Sequence, residues 1–249
     1  PIIRSILEEC DRFEVDVATS PAAGQNMGDF QPTFADYDVV VSNYNGEPWS
    51  PATQAAFVDF VESGGGFVSV HAADNAFPEW KAYNRMIGLG GWGGRNAASG
   101  PYVYYDAEET LRRDDSAGRG GHHGQQHEFQ MVVRDPQHPI TQGMPRVWMH
   151  TKDELYEQLR GPAVDMEVLA TAYASPQYGG SDRHEPLAMV ISFGKGRVFH
   201  LALGHADYSM ECVGFACFLQ RGTEWAATGS VTIPVPERFP TANQTSPRR

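Results

Sequence analysis

The sequence predicts an α/β fold, a doubly wound, mainly parallel sheet with helices on both faces. Three observations carry this. Strand and helix patterns alternate as β-α-β over residues 37–70, which is the pattern of parallel pairing through crossover helices. The strand patterns are short uncharged runs such as Phe67-Val68-Ser69-Val70, the type buried on both faces of a parallel sheet. The helix patterns carry start and stop signals, with Ser50 before Pro51 at one end and the triple glycine 64–66 at the other.

Ile2, Ile3, Ile6, Leu7 and Cys10 recur at helical spacing, so residues 1–11 read as an amphipathic helix. Residues 13–17 alternate as a strand towards a sheet edge, and residues 37–42 read as a buried strand. A helix follows through Ala55, Ala56, Phe57, Phe60 and Val61, then the strand 67–70. Residues 88–126 are rich in glycine and poor in core residues, with one strand at 102–105. A stretch of this kind inside a domain is expected to be a functional excursion over the sheet's carboxyl edge. Further strands are expected at 128–133 and 166–172, and a hairpin at 187–193 and 197–203 around Gly194-Lys195-Gly196. Residues 213–227 form a closing helix. The expected organisation is one domain over 1–232 and a proline-rich tail over 233–249, draped on the surface or disordered. A doubly wound sheet normally opens on a strand, whereas this chain opens on a helix, so an N-terminal strand is expected to be missing from it.

With 249 residues and 41% hydrophobic content, the chain can build one large core. A net charge of −12 argues against nucleic acid and anionic membrane as partners. No run reaches the roughly 18 apolar residues of a membrane-spanning helix. Cys10, Cys212 and Cys217 have neither disulfide-framework nor metal spacing, which leaves a cytoplasmic and a periplasmic location both open.

Five motifs occur in order between Gly64 and Gly229: GGGFVSVHAADN, HPITQGMP, DELY, GKGRVFHLALGH and QRGTEWAATG. Together they resemble the ThuA (trehalose-utilisation) family of bacterial proteins. The resemblance implies a flavodoxin-like fold related to class I glutamine amidotransferases, and a role in carbohydrate use, with 3-keto sugars made by partner dehydrogenases as the suggested link. In amidotransferase-like folds the turn after the central strand is a nucleophile elbow. Here His71 takes that neighbourhood, and no cysteine or serine is correctly placed in SVHAADN. An imidazole cannot stand in for a thiolate that carries an acyl group, so a cysteine-dependent glutaminase is excluded.

The catalytic candidates are His71, Glu154, His205 and Asp74. His71 and His205 end apolar strands at the sheet's carboxyl edge, where such folds bind ligands, and should face one polar cavity with Glu154 at its wall. A histidine at a strand end also serves as a plain hydrogen-bond donor, Asp74 could merely cap the next helix, and acids at a helix start favour its dipole. Substrate-binding candidates are Asn75, Trp92, His123, Asp153, His184 and Glu185, with Asp153 placed to orient a histidine. Trp92 and Trp80 could stack on a sugar ring, although tryptophan more often packs. His200 and His138 read as structural. A divalent metal, zinc or manganese, would take His71, His127 and His205, while the same groups suit metal-free proton abstraction beside a ketone. No nucleotide cofactor is expected.

The expected function is elimination, hydrolysis or isomerisation of a keto-sugar or keto-glycoside. The rival is a non-catalytic sugar-binding domain that delivers substrate to a sugar dehydrogenase. Assembly into a homo-oligomer is compatible with either reading.

Overall fold

A computed structural model describes residues 1–248. Helix α1 (Ile2–Glu8) buries Ile6 and Leu7, two of the residues whose spacing marked it as amphipathic. Strand β1 (Val39–Ser42) leads to α2 (Pro51–Glu62), whose Ser50 side chain caps the amide of Thr53. Strand β2 (Gly66–Val70) is buried at every position and is followed by α3 (Lys81–Ile87). Strands β3 (Tyr102–Tyr105), β4 (Leu111–Asp114) and β5 (His122–His123) come from the glycine-rich stretch. Then follow β6 (His127–Val133), β7 (Val147–Asp153), β8 (Tyr156–Glu157), β9 (Met166–Tyr173), β10 (His184–Phe193) and β11 (Gly196–Leu201). The short α4 (Asp207–Met210) and the long α5 (Val213–Thr228) complete the elements.

The main sheet runs β1-β2-β11-β10-β9-β6-β7, with the β3-β4 hairpin attached to β10. The expectation of a mainly parallel sheet needs correction. Only β1-β2 and β2-β11 are parallel, and the pairings from β11 outward to β7 are antiparallel. The parallel part is the segment with crossover helices. Beyond it β10 and β11 are joined by the tight turn at Gly194, whose φ of +59° suits glycine, and a hairpin can only pair antiparallel.

Two more expectations change. Residues 13–17 join no ladder. They lie across a groove from β1, so β1 is the sheet edge and is half-buried rather than buried. The acids Asp153 and Glu154, expected at a helix start, instead close a strand: Asp153 is the last residue of β7 and Glu154 follows it. The side chains at 148, 150 and 153 point inward there while 149, 151 and 152 are more exposed, a strand pattern interrupted near its end.

Helix α5 packs on β2 and β11 and brings Phe215, Phe218 and Leu219 into the core. Its Gly222 is a contact point, because a Cβ there would stand 2.0 Å from the Phe199 ring. The proline-rich tail is tied down: Ile233 is buried, Phe239 packs edge-on to Trp148, and the Arg221 guanidinium donates to the Ile233 carbonyl. Among the described residues no helix is long and apolar enough to cross a membrane.

Candidate functional site

β2 and β11 are parallel neighbours, so their carboxyl ends lie side by side. His71 follows β2 directly and has φ = +40°, a left-handed backbone that costs a residue with a Cβ roughly 1–2 kcal/mol. Strain of this kind is held in place by surrounding structure and concentrates at functional turns. This is the elbow geometry with an imidazole at its tip. The ring is buried, and its Nδ1 lies 3.1 Å from the Ala202 carbonyl. A carbonyl only accepts, so Nδ1 carries hydrogen and Nε2 faces the site, where it has no hydrogen-bond partner.

Two further side chains meet that nitrogen. Glu154 Oε2 lies 3.8 Å from His71 Nε2 and 3.0 Å from His205 Nδ1. The His71 and His205 rings meet edge to face with centroids 5.4 Å apart. One ligand atom from each of His71, Glu154 and His205 lies within 4.8 Å of the others. His123 adds a fourth group, its Nε2 3.8 Å from Glu154 Oε1, with its Nδ1 engaged by the Gly124 carbonyl.

Burial by itself would lower the pKa of His71, but the charges of Glu154, Asp153 and Asp74 outweigh it and raise it. Burial would likewise raise Glu154, but His71, His123, Gln126 and His205 hold its carboxyl below the usual range. Glu154 is therefore a carboxylate at neutral pH, surrounded by imidazoles.

The wall beside this cluster is aromatic. Tyr156 stacks on His71 at 4.0 Å and meets Trp92 at 4.6 Å, and its hydroxyl accepts from Asn75 Nδ2 at 3.3 Å. Burial pushes the Tyr156 phenol well above its ordinary pKa, so it stays a neutral donor. Arg95, itself buried, donates to the carbonyls of Asn75, Ala76 and Gly91 and ties the turn after His71 to the loop that carries Trp92. Gln126 Nε2 donates to Glu154 at 3.3 Å, and the exposed Tyr208 hydroxyl donates to the Gln126 side-chain Oε1.

The structure thus brings together His71, Glu154, His205, His123, Asn75 and Trp92. It does not bring the others. His127 stacks on Tyr178 at 3.7 Å and is not in the three-ligand cluster, which replaces it with Glu154. His184 contacts Thr171 and Tyr173, and Glu185 is buried with Arg183 and Ser181. Asp74 and Asp153 are fully buried and cannot touch a substrate directly. Asp74 lies behind the turn, 3.7 Å from the buried His200, and caps no helix. Trp80, partly buried, packs against Phe77, Tyr83 and Trp49 at the edge of the core. Tyr156, Gln126 and Tyr208 were not among the candidates. The DELY motif carries Tyr156 and could have flagged it, while nothing local marks the other two.

The ThuA family, trehalose utilisation, matches residues 1–226. Among solved structures, a ThuA-like protein from Parabacteroides merdae is 47% identical with a TM-score of 0.96, covering 99% of this chain and 90% of that one. A ThuA-like protein from Bacteroides uniformis is 18% identical with a TM-score of 0.60, over 92% of this chain and 84% of that one, a likeness of fold alone. No curated protein matches. The order of motifs, the histidine elbow and the match over most of the length agree: the chain belongs to the ThuA family.

Proposed function

We propose that this protein is a carbohydrate-processing enzyme that acts on a keto-sugar or keto-glycoside by acid/base chemistry at His71, Glu154 and His205. The single observation that supports it best is the strained His71 turn, which presents an unpartnered Nε2 to Glu154 and His205 in one cluster. A binding domain would need a pocket but no converging acid/base groups.

A ketone at C3 acidifies the neighbouring C2–H. Glu154, held as a carboxylate, is the base that takes this proton. The Tyr156 hydroxyl donates to the enolate oxygen that develops. A protonated histidine, His205 or His123, returns a proton to the oxygen leaving C1 as the C1–O bond breaks. Trp92 and the Tyr156 ring offer a face for the sugar's C–H bonds. The ketone has to be made by an oxidation, which assigns a sugar dehydrogenase to the same pathway.

The donor set also fits a divalent ion such as zinc or manganese. Ligands on one tetrahedral zinc stand roughly 3.3 Å apart, given bonds of about 2.0–2.1 Å, and the 3.0 and 3.8 Å separations here bracket that value. His71 Nε2, a Glu154 oxygen and His205 Nδ1 would hold it, and the Nδ1–H of His71 on the Ala202 carbonyl is the outer contact such ligands use. Bound there, it would act as a Lewis acid on a carbonyl oxygen.

The test is incubation with 3-keto-glycosides and with the parent glycosides, with and without chelator, following products by mass spectrometry. Conversion of the keto compounds alone, lost in His71→Ala, is the expected result. Binding of either class without conversion would favour the delivery domain instead.

A further inference from the structure

We infer that Asp153 is a positioning residue that sets Glu154 and His205 relative to one another, with His150 as its buried counter-group. The inference rests on the reading of the cluster given above. In the sheet order three strands separate β11 from β7, so no ladder between these two strands fixes the distance between their ends. Yet Glu154 follows β7, His205 follows β11 by a few residues, and their side chains lie 3.0 Å apart.

The Asp153 carboxylate spans that gap. Its Oδ1 accepts from the amides of Glu154 at 2.9 Å and His205 at 3.0 Å. Its Oδ2 accepts from the amide of Gly204 at 2.7 Å and from His150 Nε2 at 2.9 Å. These four bonds use the acceptor capacity of a carboxylate. Two of the donors are the backbone amides of the very residues whose side chains meet. Gly204 permits the turn, with φ = +103° and a Cβ that would stand 2.6 Å from the Phe215 ring. The other tie in this region, Ser209 Oγ to the Lys152 carbonyl, holds α4 to β7 and does not reach His205. Asp153 and His150 are both fully buried, so neither meets substrate. Their action is through the two residues they hold.

The test uses Asp153→Asn, where an amide NH2 faces the Gly204 N–H and one anchor is lost, and the milder His150→Ala and His150→Gln. Amide hydrogen exchange is measured in metal-free protein, and zinc affinity and steady-state turnover in parallel. In Asp153→Asn the amides of Gly204 and His205 should exchange about 10-fold faster or more, while those of Phe199 and Leu201 in β11 keep their protection. Zinc affinity and kcat should fall about 10–100-fold, as for outer contacts of a site, with KM nearly unchanged. His150→Ala should move all readouts the same way by less, and His150→Gln, which can still donate to Oδ2, should restore them. Unchanged exchange at 204 and 205, or exchange raised uniformly along the chain, overturns the inference. If exchange responds as expected but wild-type protein converts no keto-glycoside and binds no zinc, the positioning role stands and the proposed function fails.

Discussion

The imidazole rings of His71 and His205 meet edge to face, 5.4 Å between centroids, although 134 positions separate them and each follows a different strand. Glu154 lies between them, its Oε2 3.0 Å from His205 Nδ1 and 3.8 Å from His71 Nε2. His71 is buried whereas His205 is exposed. One partner is thus fixed by the elbow and the other is open to solvent, a division that suits a rigid ligand beside a proton carrier.

Replacing the exposed partner should therefore separate activity from stability. His205→Ala removes a side chain that little packs against, so stability should stay within about 1 kcal/mol of wild type. Conversion of keto-glycosides should fall at least about 100-fold, the usual contribution of a positioned acid or base. Urea unfolding and a turnover assay on the same preparation check both.

At the elbow itself, two small residues can be compared. His71→Gly and His71→Ala both delete the imidazole, but only glycine accepts φ = +40° without penalty. Glycine should be the more stable of the two by up to about 1 kcal/mol, after its greater unfolded-state entropy is allowed for. Equal unfolding midpoints would mean that the turn relaxes.

The buried pair behind the site gives stability a pH window. Burial alone would lower His150, but its hydrogen bond to Asp153, with a contribution from Cys212, raises its pKa from 6.5 to about 9. Burial would raise Asp153, but His150 and the Gly204 amide bring it from 3.8 to about 2. The histidine's contribution is complete below pH 6.5 and is lost as pH rises through about 9; the carboxylate's is complete above pH 3.8 and is lost as pH falls through about 2. The stability gap between wild type and His150→Leu should be greatest near pH 4–6.5, on the order of 3 kcal/mol for a broken buried pair. Denaturant titrations from pH 4 to 9.5 would show it, and a gap that grows towards pH 9 would contradict it.

Far from the site, Gly222 tests the packing of α5. Alanine is the better helix former by about 1 kcal/mol, yet its Cβ would stand 2.0 Å from the Phe199 ring, inside any allowed contact. Gly222→Ala should destabilise by about 1–3 kcal/mol, the range for overpacking, rather than stabilise. Calorimetry decides the sign.

Much of the frame was legible in the chain itself. Periodicity marked α1, α2 and α5 and the strands around 67–70, 102–105, 128–133, 166–172 and 187–203, because burial on one face or both leaves a local pattern of apolar side chains. Glycine and small residues after two apolar runs marked His71 and His205 as tips, since only such residues let a strand turn sharply at its end. The DELY motif drew attention to Glu154. Strand direction was not legible beyond the β-α-β part: a strand's composition says that it is buried, not which neighbour it pairs with or which way that neighbour runs. The edge position of β1 depends on what fails to pair beside it, which is not a property of residues 39–42.

The sequence by itself thus determined most of the buried strands and the helices α1, α2 and α5, the candidate tips and, through ordered motifs, the family, but not the strand that ends at Asp153. Tertiary structure alone decided which polar residues share a site. Asp153 and Glu154 are adjacent in the chain, yet Asp153 closes β7 with its carboxylate on the amides of Gly204 and His205, while Glu154, just past the strand, turns its side chain to His205. His123 in the glycine-rich run and His127 at the start of β6 are four residues apart, but Tyr178 takes His127 and Glu154 takes His123. Separations of this kind are set by how a curled sheet brings the end of β7 to the end of β11, a long-range closure that no local spacing encodes.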